Sequence, residues 1–346
     1  MKAARFYGGK DIRLETLPDP APGPGDVLVQ VAATGICGSD LHGYHAENPK
    51  SLSPRTAGHE LTGQVVALGA GVVEHKVGDR VAIEPTIPCN ECPECLSGNY
   101  NICSKLVHIG GTARAGGFAE YMLAPMDNVY TLPEGVSFEA GALAEVYAVA
   151  VHALSMAPVS PGDRVAVIGS GPIGLTIAQM ADLAGAESIA ILGKPDGPLQ
   201  IAQQMIGAIT INVDTTDPVE EVQAWSNGKG ATVVFEAVGG RSNTLMQATQ
   251  IAAKRGKICM VGGHVAPFML DARYARSREL TVTWAFCYGR REGEKEFQIA
   301  VNLMGTGKLD PMPLITHRFP LDEIREAFSV ADGREAHGSV KVLVLP

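Results

Sequence analysis

No single stretch of the chain restricts its fold as tightly as VAVIGSGPIGL, residues 165–175. Gly169, Gly171 and Gly174 stand there in the spacing G-x-G-x-x-G. The bare pattern is a weak signal, but here it ends an apolar strand and opens a helix, the context in which it binds a dinucleotide. The first glycine allows a tight turn, the second lets the backbone approach a pyrophosphate, and the third lets helix and strand pack closely. Around this loop the chain alternates. DRVAVIG reads as a buried strand, PIGLTIAQMADLAG as a helix, SIAILG as a strand and PLQIAQQMIGA as a helix. ITINV, EEVQAWSNG, ATVVFEAVG, SNTLMQATQIAA, GKICMVG and ELTVTWAF continue the pattern. Repeated units of this kind specify an α/β fold with a doubly wound parallel sheet. A structural turn without ligand is the alternative for the glycines.

Candidate cofactor contacts follow from position. They are Gly169, Gly171, Pro172, Ile173 and Gly174 in the loop, Gly193 and Lys194 at the second strand's tip, and Val261 and Gly262 ending GKICMVG. An acid at the second tip would bind the ribose 2′-OH of NAD. Gly193 and Lys194 stand there instead, and the nearest acid, Asp196, lies beyond Pro195. Without the acid a 2′-phosphate meets no repulsion, and Lys194 can pair with it. The expected cofactor is NADP or NAD, with a lean to NADP. The alternative is that Lys194 is a solvated loop lysine.

The first third reads differently. DVLVQVAATG, LTGQVVALG and DRVAIEP are strand-like, and together they suggest an antiparallel β unit. TGICGSDLHGY, residues 34–44, reads as a glycine-framed turn. A helical pattern begins at Glu139. After about Tyr288 come a helix in EGEKEFQIAVNLMGTG, a helix over residues 321–329 and a last strand, SVKVLVLP. These need not belong to the parallel sheet and could return to the first unit. A chain of 346 residues is long for one core, so two domains are expected.

The formal net charge of −9, unrelieved by any Lys/Arg block, argues against a nucleic-acid surface. The N-terminus has no apolar run of signal-peptide length, and no later run approaches a membrane span. A cytoplasmic location without membrane contact is expected. Thiols stay reduced there, so seven cysteines call for an explanation other than disulfides.

Four of them, Cys89, Cys92, Cys95 and Cys103, form C-x2-C-x2-C-x7-C. Four close thiolates suit a tetrahedral Zn²⁺ with no position left for water, which is a structural site. An iron–sulfur cluster is the competitor. The x7 gap and the lack of a second cluster run favour zinc. Cys37 is separate. His59 and Glu60 follow it in AGHELTG, and Cys, His and a carboxylate can hold a catalytic zinc with an open position. Asp40 is available to orient the His59 ring. Taken alone, Cys37 also fits a small buried hydrophobe or a Cys–His nucleophile. Cys259 reads as core.

At this point the chain resembles the zinc-dependent medium-chain dehydrogenases. GICGSD, GHE, the four-cysteine lobe, GSGPIG and THRFPLDEIREAF occur in that family's order, and the likeness covers nearly the whole chain. The sorbitol (polyol) and threonine dehydrogenase branch is the nearest. The resemblance implies a catalytic zinc held by Cys37 and His59. Glu60 would ligate directly or exchange with water, and Glu145 would complete the shell directly or through water. It implies that Ser39 contacts the substrate oxygen and relays its proton, with His42 nearby; a helix cap and a surface histidine are the alternatives. It implies a GroES-like β-rich catalytic domain over residues 1–146 and 288–346, with a structural zinc lobe at about 85–105. The Rossmann dinucleotide-binding domain would be residues 147–287. Two departures stand out. Val146 replaces a proline usual after the glutamate, and Cys287 stands where sorbitol-type enzymes commonly carry an arginine.

The reaction so implied is reversible hydride transfer between a secondary alcohol (polyol, sugar alcohol or amino alcohol) and NAD(P). The resemblance further implies a small alcohol or ketone as partner and a homodimer or homotetramer as the expected assembly. An NADPH-dependent zinc aldehyde or ketone reductase is the alternative within enzymes. A non-catalytic, zinc-stabilised dinucleotide sensor or interaction protein is the alternative outside them.

Overall fold

The computed structural model describes residues 1–46, 54–111, 113–194 and 196–346. The chain divides into two compact units, Met1–Glu145 with Gly289–Pro346, and Val146–Tyr288.

The first unit is built on a seven-stranded sheet. Its hub is the strand Asp26–Gly35, which pairs antiparallel with Glu60–Leu68, Tyr121–Pro125 and Lys341–Leu345. Inward residues alternate along it: Val27, Val29 and Val31 meet Leu61, Val65, Val81, Ile83 and Met122 in one apolar cluster. The C-terminal segment does return to this unit. Leu343 pairs with Gly35 and Val344 with Thr34, while Ile315–Pro320 runs parallel on the far side of that last strand. The helix Ile324–Asp332 buries Ile324, Ala327 and Phe328 against Phe6 and Phe118.

Three local expectations need correction. The 34–44 stretch is not only a turn, because Gly38–His45 is helical. Asp40, at its third position, accepts from the Cys37 N–H at 3.0 Å and closes the first turn, which offsets two helical glycines. The pattern from Glu139 splits into Phe138–Gly141 and Ala144–Met156, and the second helix runs unbroken through Val146. The late helix begins only at Glu296, after a small hairpin of Arg290–Arg291 with Glu294–Lys295.

The second unit holds six parallel strands flanked by helices. Arg164–Ile168 is central, with Ser188–Gly193 and Ile209–Asn212 on one side. Ala231–Glu236, Ala252–Met260 and Thr281–Trp284 lie on the other. The strand order therefore reverses at the central strand, where such sheets take a dinucleotide. Cys259 is buried in this sheet, and burial pushes its thiol up to about 11.

The glycine loop follows the central strand. Gly169 has φ 112°, and the helix Pro172–Leu183 starts with proline in its first position. A Cβ on Gly174 would lie 1.9 Å from the Gly169 carbonyl oxygen. Gly174→Ala must therefore shift the turn. We expect it to weaken reduced-cofactor binding on the order of 10²-fold in a fluorescence titration. Unchanged affinity would show that the turn does not hold the cofactor.

Candidate metal centres

Antiparallel register explains why Cys37 and His59 meet. Gly35 pairs with Glu60, so the chain leaving one strand and the chain entering the next run side by side. Cys37, His59 and Glu60 each offer a ligand atom, all within 4.8 Å of one another. Gly35 lets the Glu60 carboxylate in, because a Cβ there would lie 2.2 Å from Glu60 Oε2. The carboxylate is already engaged. Lys341 Nζ donates to Glu60 Oε1 at 2.8 Å and Oε2 at 2.5 Å, and to the Ile36 carbonyl at 3.2 Å. Glu60 is 1% and Lys341 2% exposed, so this ion pair is buried beneath the cluster.

Asp40 is buried, and its Oδ1 lies 3.7 Å from His59 Nδ1. Burial opposes charge on both groups. The mutual attraction wins, so Asp40 is held below the usual carboxylate range and His59 well above its usual value, Cys37 adding to the latter. Glu145, near the start of its helix, is also buried and lies outside the three-residue cluster. Desolvation pushes its carboxyl up to about 7. His59 and Lys341 pull it down, while Glu60 and Asp40 push it further up. Ser39 and His42 lie on the exposed face of the helix that Cys37 caps.

The second cluster is local. Cys92 caps the short helix Pro93–Leu96, which carries Cys95, and Cys103 ends the turn Tyr100–Ile102. Sulfur separations are 3.3 Å (Cys92–Cys95), 3.5 Å (Cys89–Cys103) and 3.9 Å (Cys89–Cys95). A zinc tetrahedron with Zn–S of about 2.3 Å has S–S edges of about 3.8 Å, so the donor set fits the ion. Backbone N–H groups of Glu91 and Cys92 help bring Cys89 down to about 6. Cys92 has a favourable N–H from Cys95, but burial and the neighbouring thiols push it up to about 12. As thiolates, four sulfurs at this spacing would need a cation between them.

Sequence reading missed what fastens this lobe. Glu84 is fully buried and accepts from Thr86 Oγ1 at 2.9 Å, from the Tyr100 and Tyr130 hydroxyls at 2.7 Å each, and from Lys295 Nζ at 2.9 Å. Tyr100 lies between Cys95 and Cys103, so the hub ties the cysteine loop to the sheet. The only advance signal was an acid within a strand-like run, DRVAIEP.

At the cofactor edge, Lys194 lies 3.8 Å from Asp214, both more than half exposed. Asp196 accepts from Asn212 at 2.7 Å. Val261 and Gly262 donate backbone N–H groups to the Glu236 carbonyl. No helix among the described residues is long and apolar enough to cross a membrane.

Two family models match the chain, an alcohol dehydrogenase GroES-like domain over residues 23–134 and a zinc-binding dehydrogenase over residues 172–305. Sorbitol dehydrogenase of Bacillus subtilis (strain 168) is 31% identical across 100% of this chain and 97% of its own. A Sinorhizobium meliloti 1021 structure, described as a zinc-binding dehydrogenase bound to NADP, superposes with TM-score 0.91 at 33% identity, covering 100% and 99%. Galactitol-1-phosphate dehydrogenase from Escherichia coli superposes with TM-score 0.90 at 31% identity, covering 100% of both chains.

Proposed function

The chain belongs to the zinc-type medium-chain alcohol dehydrogenases, in their polyol branch, and from that premise we propose that Cys37, His59 and Glu60 hold its catalytic zinc. It is a zinc-dependent oxidoreductase of alcohols or polyols that uses NAD(P). The observation that carries the ligand assignment is the meeting of a thiol, an imidazole and a carboxylate within 4.8 Å from two paired strand ends. Zinc, when bound, supplies the Lewis acidity that favours loss of the alcohol proton, and the nicotinamide cofactor supplies the hydride acceptor.

The chain's own groups do the rest. Cys37 offers a sulfur donor and His59 an imidazole nitrogen. Asp40 fixes the helix start beside them. Glu60 and Glu145 add carboxylates, direct or through water, and Lys341 pairs with the buried Glu60 carboxylate. Ser39 receives the proton from the substrate oxygen and His42 stands next to it. Both face solvent, so a proton passed to them reaches bulk water. Cys89, Cys92, Cys95 and Cys103 hold a structural zinc. The test is metal content with activity: about two zinc per chain supports both sites, and about one means that a cluster has been misread.

We further propose a polyol or sugar alcohol as substrate, because relatives named for sorbitol and galactitol-1-phosphate align along the whole chain. A panel of polyols, sugars, threonine and 2,3-butanediol tests this; oxidation of simple alcohols alone would overturn it. The cofactor preference proposed is NADP, because Gly193 and Lys194 replace the acid at the second strand's tip. Lys194→Ala should raise the KM for NADP about tenfold and leave NAD nearly unchanged. Tighter binding of NADH than NADPH by the unaltered protein would reject the preference. NADP use also favours the reductive direction, which rates measured both ways decide. We place the enzyme in the cytoplasm, where the thiols of two cysteine-containing metal sites stay reduced, and as a homodimer or homotetramer, which sedimentation tests.

A further inference from the structure

At the carboxyl edge of the parallel sheet lies a buried pair that this reading does not use. Glu236 ends the strand Ala231–Glu236 and is fully buried. Its Oε1 accepts from the Val238 N–H at 2.9 Å, the Gly239 N–H at 3.0 Å and Thr244 Oγ1 at 2.8 Å. Its Oε2 has no hydrogen-bond partner among the described residues, and neither has His264 Nε2. The two atoms face each other at 3.9 Å, with the His264 side chain 8% exposed.

Geometry defines the pair. His264 Nδ1 lies 3.0 Å from the Gly262 carbonyl oxygen, and a carbonyl only accepts. Nδ1 therefore carries a proton. The 3.9 Å gap is wider than a direct hydrogen bond, so the pair is a close imidazole–carboxylate approach within ion-pair range.

The link joins two turns. Gly240 N–H donates to the Gly263 carbonyl at 2.8 Å, and Val265 N–H to the Gly240 carbonyl at 3.0 Å. They are packed backbone on backbone: a Cβ on Gly262 would lie 2.3 Å from Gly239 N. The first turn also borders the glycine loop, since Ala237 N–H donates to the Ile168 carbonyl at 2.8 Å. A doubly wound sheet takes the adenosine half on the side of its first strands and the other half of the dinucleotide across the switch point. The turns 237–240 and 261–264 are on that other side.

We propose that Glu236 and His264 are a positioning pair, one buried imidazole–carboxylate contact that sets the two turns receiving the nicotinamide half of the cofactor. This rests on the dinucleotide reading of the glycine loop. The experiment compares NADH and NADPH with AMP and adenosine 2′,5′-bisphosphate, which probe the adenosine half alone, by titration on the full chain. His264→Leu should weaken the better dinucleotide about tenfold or more and leave the adenosine probes unchanged. His264→Gln keeps an N–H donor and should recover most of the loss. Equal weakening of dinucleotide and adenosine probes, or no weakening of either, would overturn the pair's role. If His264→Leu does not fold, Glu236→Gln decides by the same comparison. Failure of the unaltered protein to bind any of the four probes would instead overturn the dinucleotide reading.

Discussion

Cys37→Ser is expected to abolish practical turnover, lowering kcat/KM by ~10³-fold or more. A catalytic zinc contributes several kcal/mol of charge stabilisation, and ~4 kcal/mol corresponds to ~10³ in rate. Serine stays neutral near pH 7 and replaces a thiolate with a poor zinc ligand. His59 and Glu60 then remain, and Glu60 is shared with Lys341. Metal analysis should give about one zinc per chain rather than about two, because the four-cysteine lobe closes locally. Dinucleotide binding should be unchanged, since the glycine loop belongs to the second unit. Substantial remaining activity with both zinc ions retained would show that Cys37 is not a ligand.

Lys341→Met is expected to produce the largest loss of stability. It leaves the Glu60 carboxylate 1% exposed without its cation, and an orphaned partner of a buried pair costs ~3–5 kcal/mol. The loss should be greatest after zinc is removed and smaller in the zinc-loaded protein, where the metal offers Glu60 another positive partner. The double variant Lys341→Met with Glu60→Gln should recover most of the stability lost in metal-free protein, because no buried charge remains unpaired. Denaturant unfolding of the first unit, followed with and without zinc, measures both. A change below ~1 kcal/mol in the metal-free single variant would mean that the buried Lys341–Glu60 contact does not carry the stability ascribed to it.

Much of the molecule was legible in local spacing. The glycine loop lies between a strand and a helix that its own sequence specifies, and the four cysteines lie within one short lobe. The helix at Gly38–His45 was not legible. Its glycines suggest a turn, and only the Asp40 contact with the Cys37 N–H shows how the first turn closes. Glu84 and Glu236 gave almost no signal either, since an acid in an apolar strand looks the same whether it is a hub or a surface residue.

By itself the sequence determined the alternating sheet, the glycine turn and the candidate four-cysteine lobe, because each rests on periodicity or on spacing within a short length of chain, while Cys37, His59 and Glu60 were named as candidates and met only through strand pairing. The tertiary structure alone decided the charge balance. Glu60 and Lys341 are 281 residues apart, and they meet because the last strand pairs with the strand that leads to Cys37. Glu236 and His264 meet because two parallel strands end together, so their glycine turns share one layer of backbone. Burial is a property of the assembled fold. It converts these unremarkable charged residues into groups that must find each other, and no local pattern records the partner.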